Sequence, residues 1–311
     1  MNVLNPSYPD PGAAGSVSPS NRYQLASDLQ LPASLTVNGG VDQSLTSSLR
    51  LSGTYTYRRS GTLLRGRNLN APAAGVRPDP GFSNIVEVVN DAGSRTQMVG
   101  ATLSFLKLNW KQTILMGNYT WSKTETNTTG PFSLPANGDD LSTEWGPAMP
   151  AHRLMAAFNM TPLPGLGLSV NLRAQSGSPY TVTAGRDLNG DGVFNDRPAG
   201  VSRNSATTTG QWDLGARVSY SIGFGRKPQA TAGPGGVMIV MGGGSGGGMA
   251  PGFGPGSANK RFQLQFYAAA QNVTNRANLV GYSGVITSPF FGKATNVLNP
   301  RKIELGVRFG F

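Results

Sequence analysis

The chain has 311 residues, a net charge of +11 and only 13% charged residues, about half the charge share of an ordinary soluble domain. Its mean hydropathy is −0.22, and no apolar run approaches the length of a membrane helix, which excludes a helical membrane protein and leaves one large domain or two small ones. Lack of cysteine excludes a disulfide scaffold and a thiolate metal site. The dispersed basic residues match no nucleic-acid-binding module, so no nucleic-acid partner is expected.

Residues 1–31, rich in Pro, Ser, Asn and Asp, read as loop. The first alternating run sets Leu35, Val37, Gly39 and Val41 against Thr36, Asn38, Gly40 and Asp42. Period-two alternation puts each set on its own face of a strand. After a short turn at 44–47, Leu49, Leu51, Gly53, Tyr55 and Tyr57 alternate with Arg50, Ser52, Thr54, Thr56 and Arg58. An irregular stretch follows from about Ser60 to Phe82. A third strand runs from about Asn84 to Leu106, with Val99, Ala101, Leu103 and Phe105 on its apolar side. Asn90–Gly93 interrupts it, as a bulge or as a hairpin tip; the bulge keeps the up-and-down order of the strands.

A turn near 107–109 leads to strand four, with Thr113, Leu115, Gly117, Tyr119 and Trp121 on one side. Ile114 and Met116 break the polarity of the other side. Residues 125–150 form a second long loop. Strand five carries Leu154, Ala156, Phe158 and Met160. After a rigid turn at 162–165, strand six carries Leu166, Leu168, Val170, Leu172 and Ala174. A third long loop spans roughly 183–210. Strand seven places Trp212, Leu214, Ala216, Val218, Tyr220 and Ile222 on one face. Residues 224–259 are a low-complexity insert rich in Gly, Pro and Met. Strand eight carries Phe262, Leu264, Phe266, Ala268 and Ala270, and a fourth loop runs from about Thr274 to Pro300.

The last strand is the most regular. Ile303, Leu305, Val307, Phe309 and Phe311 share one face, and the chain stops on the aromatic residue. A strand with lipid on one side and water on the other has this form. The expected fold is therefore all-β: an antiparallel transmembrane β-barrel segment of about nine or ten strands. Loops alternate long and short, so those at 60–82, 125–150, 183–210 and 274–300 are expected outside the cell and the turns at the periplasm. The 224–259 insert then falls on the periplasmic side. Arg50, Arg58, Arg173, Arg217 and Arg308 are read as lumen and rim charges suited to anionic ligands or lipopolysaccharide.

The terminal strand looks like the signal strand of bacterial outer-membrane barrels, which the barrel-assembly machinery reads. Further motifs follow in order: Leu64–Pro72, Tyr119–Lys123, Glu144–Pro147 with His152 and Arg153, Asp187–Pro198, Gln271–Asn278, and Phe291-Gly292. As a set they resemble the Oar-like TonB-dependent receptors. The resemblance implies outer-membrane localisation, a larger barrel of about 22 strands, an N-terminal plug engaging the TonB system, and capture and uptake of an unidentified ligand. Outer-membrane lipid and the assembly machinery are the other implied partners. Met1 is not followed by a secretory signal, so residues 1–311 are expected to be the C-terminal portion of a longer receptor. The alternative is a small autonomous barrel, a passive porin or adhesin-like structural protein. No Ser/His/acid arrangement can be placed, so no enzymatic activity and no organic cofactor are expected.

One motif has cation-loop spacing: Asp187, Asn189, Asp191, the Val193 carbonyl and Asn195, with Asp196 as a further carboxylate. Hard cations take such oxygen ligands, so calcium is one expectation. The twelfth position is Pro198 rather than Glu, and an Asx-rich turn is the other. His152, the only histidine, is expected to hydrogen-bond at the extracellular rim. Asp139, Asp140 and Glu144 are expected in a solvated loop.

Overall fold

The computed structural model describes residues 2–3, 17–18, 20–107, 111–226 and 260–311. Nine long strands form a wall: β1 (Ala33–Ser44), β2 (Leu49–Asn68), β3 (Phe82–Lys107), β4 (Thr113–Thr126), β5 (His152–Leu163), β6 (Leu166–Gln175), β7 (Gln211–Arg226), β8 (Lys260–Gln271) and β9 (Lys302–Gly310). Each pairs antiparallel with its neighbour in sequence, giving a meander from β1 to β9. Among the described residues no pairing joins β1 to β9, so the sheet is open.

The register turns the alternation into two faces. Leu49, Phe105, Leu115, Phe158, Val170, Ala216, Ala270 and Ile303 are successive cross-strand partners from β2 to β9. Every member of that row is apolar, and none comes from the set expected on the polar side. Among the described residues no second layer covers the face: Val37, Tyr55, Val99, Val218, Phe266 and Val307 are all exposed. In water such a surface would be a large liability; in hydrocarbon it is solvated. The opposite face carries Arg50, Arg58, Arg173, Arg217 and Arg308, as expected from their parity. It is not uniformly polar. Leu106 faces Ile114 directly, and Met116 and Met155 lie on the adjoining rows.

The aromatic girdle at the short-turn end is a ring ladder across three strands. Phe224 stacks on Phe262 at 5.6 Å, Phe262 on Phe309 at 6.0 Å, and Phe309 meets Phe311 at 6.2 Å. Between β5 and β6 the chain reverses through Pro164 and Gly165, flanked by the paired residues Leu163 and Leu166. Gly165 has φ 81°, and a Cβ there would lie 2.5 Å from the Ser221 carbonyl oxygen. The Gly165→Ala variant is expected to lose about 1–2 kcal/mol from the left-handed conformation alone. A refolding titration in urea and detergent checks this: its midpoint should fall with unchanged slope.

Several expectations need correction. Residues 60–68 are not irregular: β2 continues to Asn68 and β3 starts at Phe82, so the connection is confined to 69–81. With 26 residues, β3 spans roughly 85 Å at about 3.3 Å per residue, far more than a membrane strand needs. The β2–β3 hairpin therefore projects well beyond the bilayer. Asn90–Gly93 is a bulge inside β3, matched by irregular register at Ser60–Arg65. Residues 1–31 are not all loop. Ser20–Leu25 forms a short strand parallel to Phe82–Val88 of β3, and a two-residue ladder joins Asn2–Val3 to Val17–Ser18. The third and fourth long loops carry ladders of their own, Pro179–Tyr180 with Ala206–Thr207 and Leu279–Tyr282 with Ala294–Val297. The turn expected at 107–109 lies largely outside the described residues, as does most of the 224–259 insert.

Candidate functional site

Among the described residues the buried aliphatic side chains are Val86, Val88, Val89 and Ala92. All lie on the projecting part of β3, so the packed interior sits above the membrane. Residues 127–150 and 176–210 close over it and form a cap at the long-loop end. Its centre is an ion pair between the two loops. Arg197 donates to both carboxylate oxygens of Glu144, at 2.8 and 2.9 Å, and Glu144 is 2% exposed. Glu144 Oε1 also accepts the Asn137 backbone N–H at 3.0 Å. A two-pronged arginine–carboxylate pair fixes orientation as well as distance.

Other bonds zip the same loops. Asn189 donates to the Ala136 carbonyl, Asn195 to that of Leu134 and Asn204 to that of Pro147. Arg203, 7% exposed, donates to the carbonyls of Thr126 and Glu144. Burial pushes Arg203 below the usual arginine range, and the nearby Glu144 charge opposes that; arginine stays cationic throughout. Gly146 is required by close approach, because a Cβ would overlap the Arg203 carbonyl oxygen. Beside it, Arg95 sits 4.3 Å over the Trp145 ring. On the hairpin, buried Arg65 grips both carboxylate oxygens of Asp91, at 2.5 and 2.7 Å, and Arg67 pairs with Glu87 at 2.5 Å.

Between hairpin and loops lies a cavity of about 710 Å3, lined by Arg65, Arg67 and Arg197, by Asp139, Asp191 and Asp196, and by Asn68, Asn137 and Asn189. Its three arginines are already paired, so its character is polar with balanced charge. It lies at the long-loop end of the wall.

The Asp187–Asp196 segment forms the wall of this cavity. Asp187 accepts from the backbone N–H groups of Gly190 and Gly192, at 2.7 and 2.8 Å. Asn189 Oδ1 accepts from Asp191, Asp191 Oδ1 from Val193, and Asp196 Oδ2 from Leu188. These are the local side-chain-to-backbone bonds of Asx turns. Among the described residues no group of three or more His, Cys, Asp or Glu side chains is placed to hold a metal ion. Asp187, Asn189, Asp191 and Asp196 thus turn oxygens to the loop's own backbone, Asn189 and Asn195 donate their amides to the neighbouring loop, and the buried Asn195 Oδ1 has no hydrogen-bond partner. Calcium at Asp187, Asn189, Asp191, Val193, Asn195 and Asp196 stays an expectation beside these Asx turns.

Burial first, and then the like charges of Asp187 and Asp196, raise the Asp191 carboxyl above its ordinary value. A raised carboxyl favours folding below the unfolded value, and that contribution disappears as pH rises through the folded value. Asp191→Asn is therefore expected to slow amide exchange of Gly190–Val193 a few-fold at neutral pH, and to give no advantage in acid. Hydrogen exchange at the two pH values checks it.

His152 opposes Trp121 on the apolar face, and its Nδ1 lies 2.7 Å from the Tyr119 hydroxyl. Of the acidic cluster, Asp139 and Asp140 are exposed, and Asp140 accepts from Ser142 N–H to cap a short 3-10 turn. Glu144 is not solvated; it is the buried partner of Arg197. The sequence assigns no role to Arg65, Arg197 or Arg203. Arg197 alone carries a signal, its position after the Asx-rich segment and before proline.

A one-layer sheet with an uncovered apolar face, a polar-rimmed second face and a folded cap at one end is a membrane-spanning β-wall. The chain belongs to the outer membrane beta barrel domain family, whose model matches residues 2–304, and its place is the bacterial outer membrane. No curated protein matches the sequence. Among solved structures it resembles the outer membrane transporter YddB of Escherichia coli, with 14% identity and a TM-score of 0.58, over 94% of this chain and 34% of that one. It also resembles the FrpB iron transporter of Neisseria meningitidis, at 13% identity and TM-score 0.49 over 92% of this chain and 32% of that one. The ferric-catecholate import receptor Fiu of Escherichia coli gives 12% identity and TM-score 0.47, over 91% and 28%. The chain thus spans about a third of these proteins.

Proposed function

We propose that residues 1–311 are the C-terminal part of the barrel of a TonB-dependent receptor of the Oar-like type, and that the cap takes part in capturing its ligand. The observation that carries this reading is the apolar patch on the lumen side of the wall. Leu106 and Met155 are exposed there at 41% and 53%, beside Ile114 and Met116. A passive porin keeps its lumen polar because water fills it. An apolar lumen patch suits a barrel filled by protein, which is what a plug supplies. The open edges of β1 and β9 point the same way, since unpaired strand edges are not tolerated in hydrocarbon. On this reading further strands close the barrel, the TonB system acts through the plug, the assembly machinery reads Ile303–Phe311, and no covalent chemistry is performed.

The chain has no native cysteine, which makes labelling informative. Met155→Cys and Asp139→Cys are compared in the complete polypeptide in cells, with a hydrophilic maleimide. Asp139→Cys should label quickly. Met155→Cys should label slowly, and faster only when TonB and the proton gradient are both present. Rapid labelling of Met155→Cys without energy, together with a steady conductance in planar bilayers, would identify a passive pore and overturn the receptor reading.

A further inference from the structure

On the lipid-facing side of the wall, at the long-loop end, lies a second, smaller depression of about 310 Å3. Tyr119, Leu154, Ala174 and Trp212 are cross-strand partners in one outward row of β4 to β7 and form its apolar floor. At its outer rim His152 bonds to Tyr119. From the loop after β8, Arg276 brings its guanidinium 5.5 Å from the Trp212 ring centroid, and one of its nitrogens donates to the Gly210 carbonyl at 3.4 Å. The guanidinium has further N–H donors, and Arg276 is exposed.

The charge of this groove differs from that of the cap cavity. Arg276 is the cation on its outward side and its lining holds no carboxylate, whereas three aspartates line the cavity in the cap. Arg153 belongs to the other face, in register with Thr120 and Gln175. Beneath it, Ala156, Phe158, Val170 and Leu172 continue the apolar wall. A cation resting on an aromatic ring at the top of an apolar row fits an amphiphile with an anionic head and acyl tails. Tryptophan and tyrosine at this height mark the depth of lipid headgroups.

We propose that this groove seats the phosphorylated headgroup of an outer-leaflet glycolipid. Arg276 binds the phosphate through charge-assisted hydrogen bonds, and the acyl chains lie along Leu154 and Leu172. The assignment rests on Arg276, the aromatic floor, the outer-membrane location and an outward-facing long-loop end, and on neither plug nor TonB, so it stands or falls separately from the receptor reading.

The test uses the complete polypeptide extracted from outer membranes in mild detergent. Native mass spectrometry reads its binding of lipid A bearing both phosphates, of the same lipid with its phosphates removed, and of inorganic phosphate. The unaltered protein should bind the phosphorylated lipid at least about tenfold more tightly than the dephosphorylated one, and Arg276→Gln should abolish most of that difference. Arg276→Lys, which keeps the charge but loses the planar fork, should retain an intermediate preference. Equal binding of the two lipids by the unaltered protein overturns the proposal with no variant involved. Unchanged preference in Arg276→Gln overturns the role of Arg276. Displacement of the lipid by equimolar inorganic phosphate marks a site for soluble anions and overturns the lipid assignment.

Discussion

Glu144→Ala is expected to loosen the cap while leaving the wall intact. The substitution strands Arg197, whose side chain is 11% exposed beside a partner at 2%. It also removes the opposing charge near Arg203 and the acceptor for the Asn137 N–H. Breaking a buried pair from one side costs about 3–5 kcal/mol, because the remaining charge has lost its partner without regaining water. That cost falls on local opening, since Glu144 and Arg197 join two loops and bond to no residue of the wall strands. Amide exchange across 127–150 and 183–205 should therefore quicken by orders of magnitude, and protease should cut there first. The shift in migration on heating in a cold detergent gel, which reports the folded barrel, should persist. Glu144→Gln keeps an acceptor for Asn137 and for one arginine nitrogen, so it should fall between the two. Asp139→Ala, in the same loop but exposed, should do little. Exchange in Glu144→Ala no faster than in Asp139→Ala would mean that the pair does not hold the loops together.

The wall was legible in the sequence because lipid imposes one rule on every strand that crosses it. Leu166, Leu168, Val170, Leu172 and Ala174 had to share a face, and once they did, the register with Trp212–Tyr220 followed. The same rule explains where legibility ended. Above the bilayer the outward face meets water or protein, so Ser60–Asn68 has no reason to alternate, and its Gly and Arg residues read as loop although the segment belongs to β2 and pairs with β3 on both sides of a bulge. Its register is irregular only between Ser60 and Arg65, and the Ser20–Leu25 strand was hidden for a related reason. Its partner is an edge of β3 left free above the start of the β3–β4 ladder at Ser94, and nothing within Ser20–Leu25 records that. In the cap, Glu144 and Arg197 are 53 residues apart, and spacing carries no information about a contact between loops. The Asp187–Asp196 segment was legible in kind but not in use. Oxygens at alternate positions suit a cation and an Asx turn equally, and a carboxylate that accepts a backbone N–H keeps further lone pairs, so the two uses share one spacing.

Val170→Arg should be the most damaging single change in the wall, and its contrast with Asn171→Arg tests the assignment of faces. Val170 lies between Phe158 on β5 and Ala216 on β7, in the middle of the apolar row and 39% exposed. Its neighbours offer no carboxylate. An arginine there must place its guanidinium in hydrocarbon or stretch along the wall to the headgroups. On the lipid face of a barrel near the midplane this costs about 2–4 kcal/mol, and the cost falls towards the interfaces. Asn171 is one residue further along the same strand, opposite Ala157 and Gly215 on the other face, where Arg173 already stands beside Asp213. An added arginine there finds polar company. The two variants share strand and bulk and differ chiefly in facing. Folding into lipid vesicles, followed by urea titration, should therefore separate them by roughly the full lipid-face penalty. At the rim, Leu154→Arg should cost less than Val170→Arg, because it lies one step from His152. Were the apolar row packed against protein instead of lipid, Val170→Arg and Leu154→Arg would be penalised by local packing with no regard to depth. The gradient from midplane to rim is the signature that only a bilayer imposes.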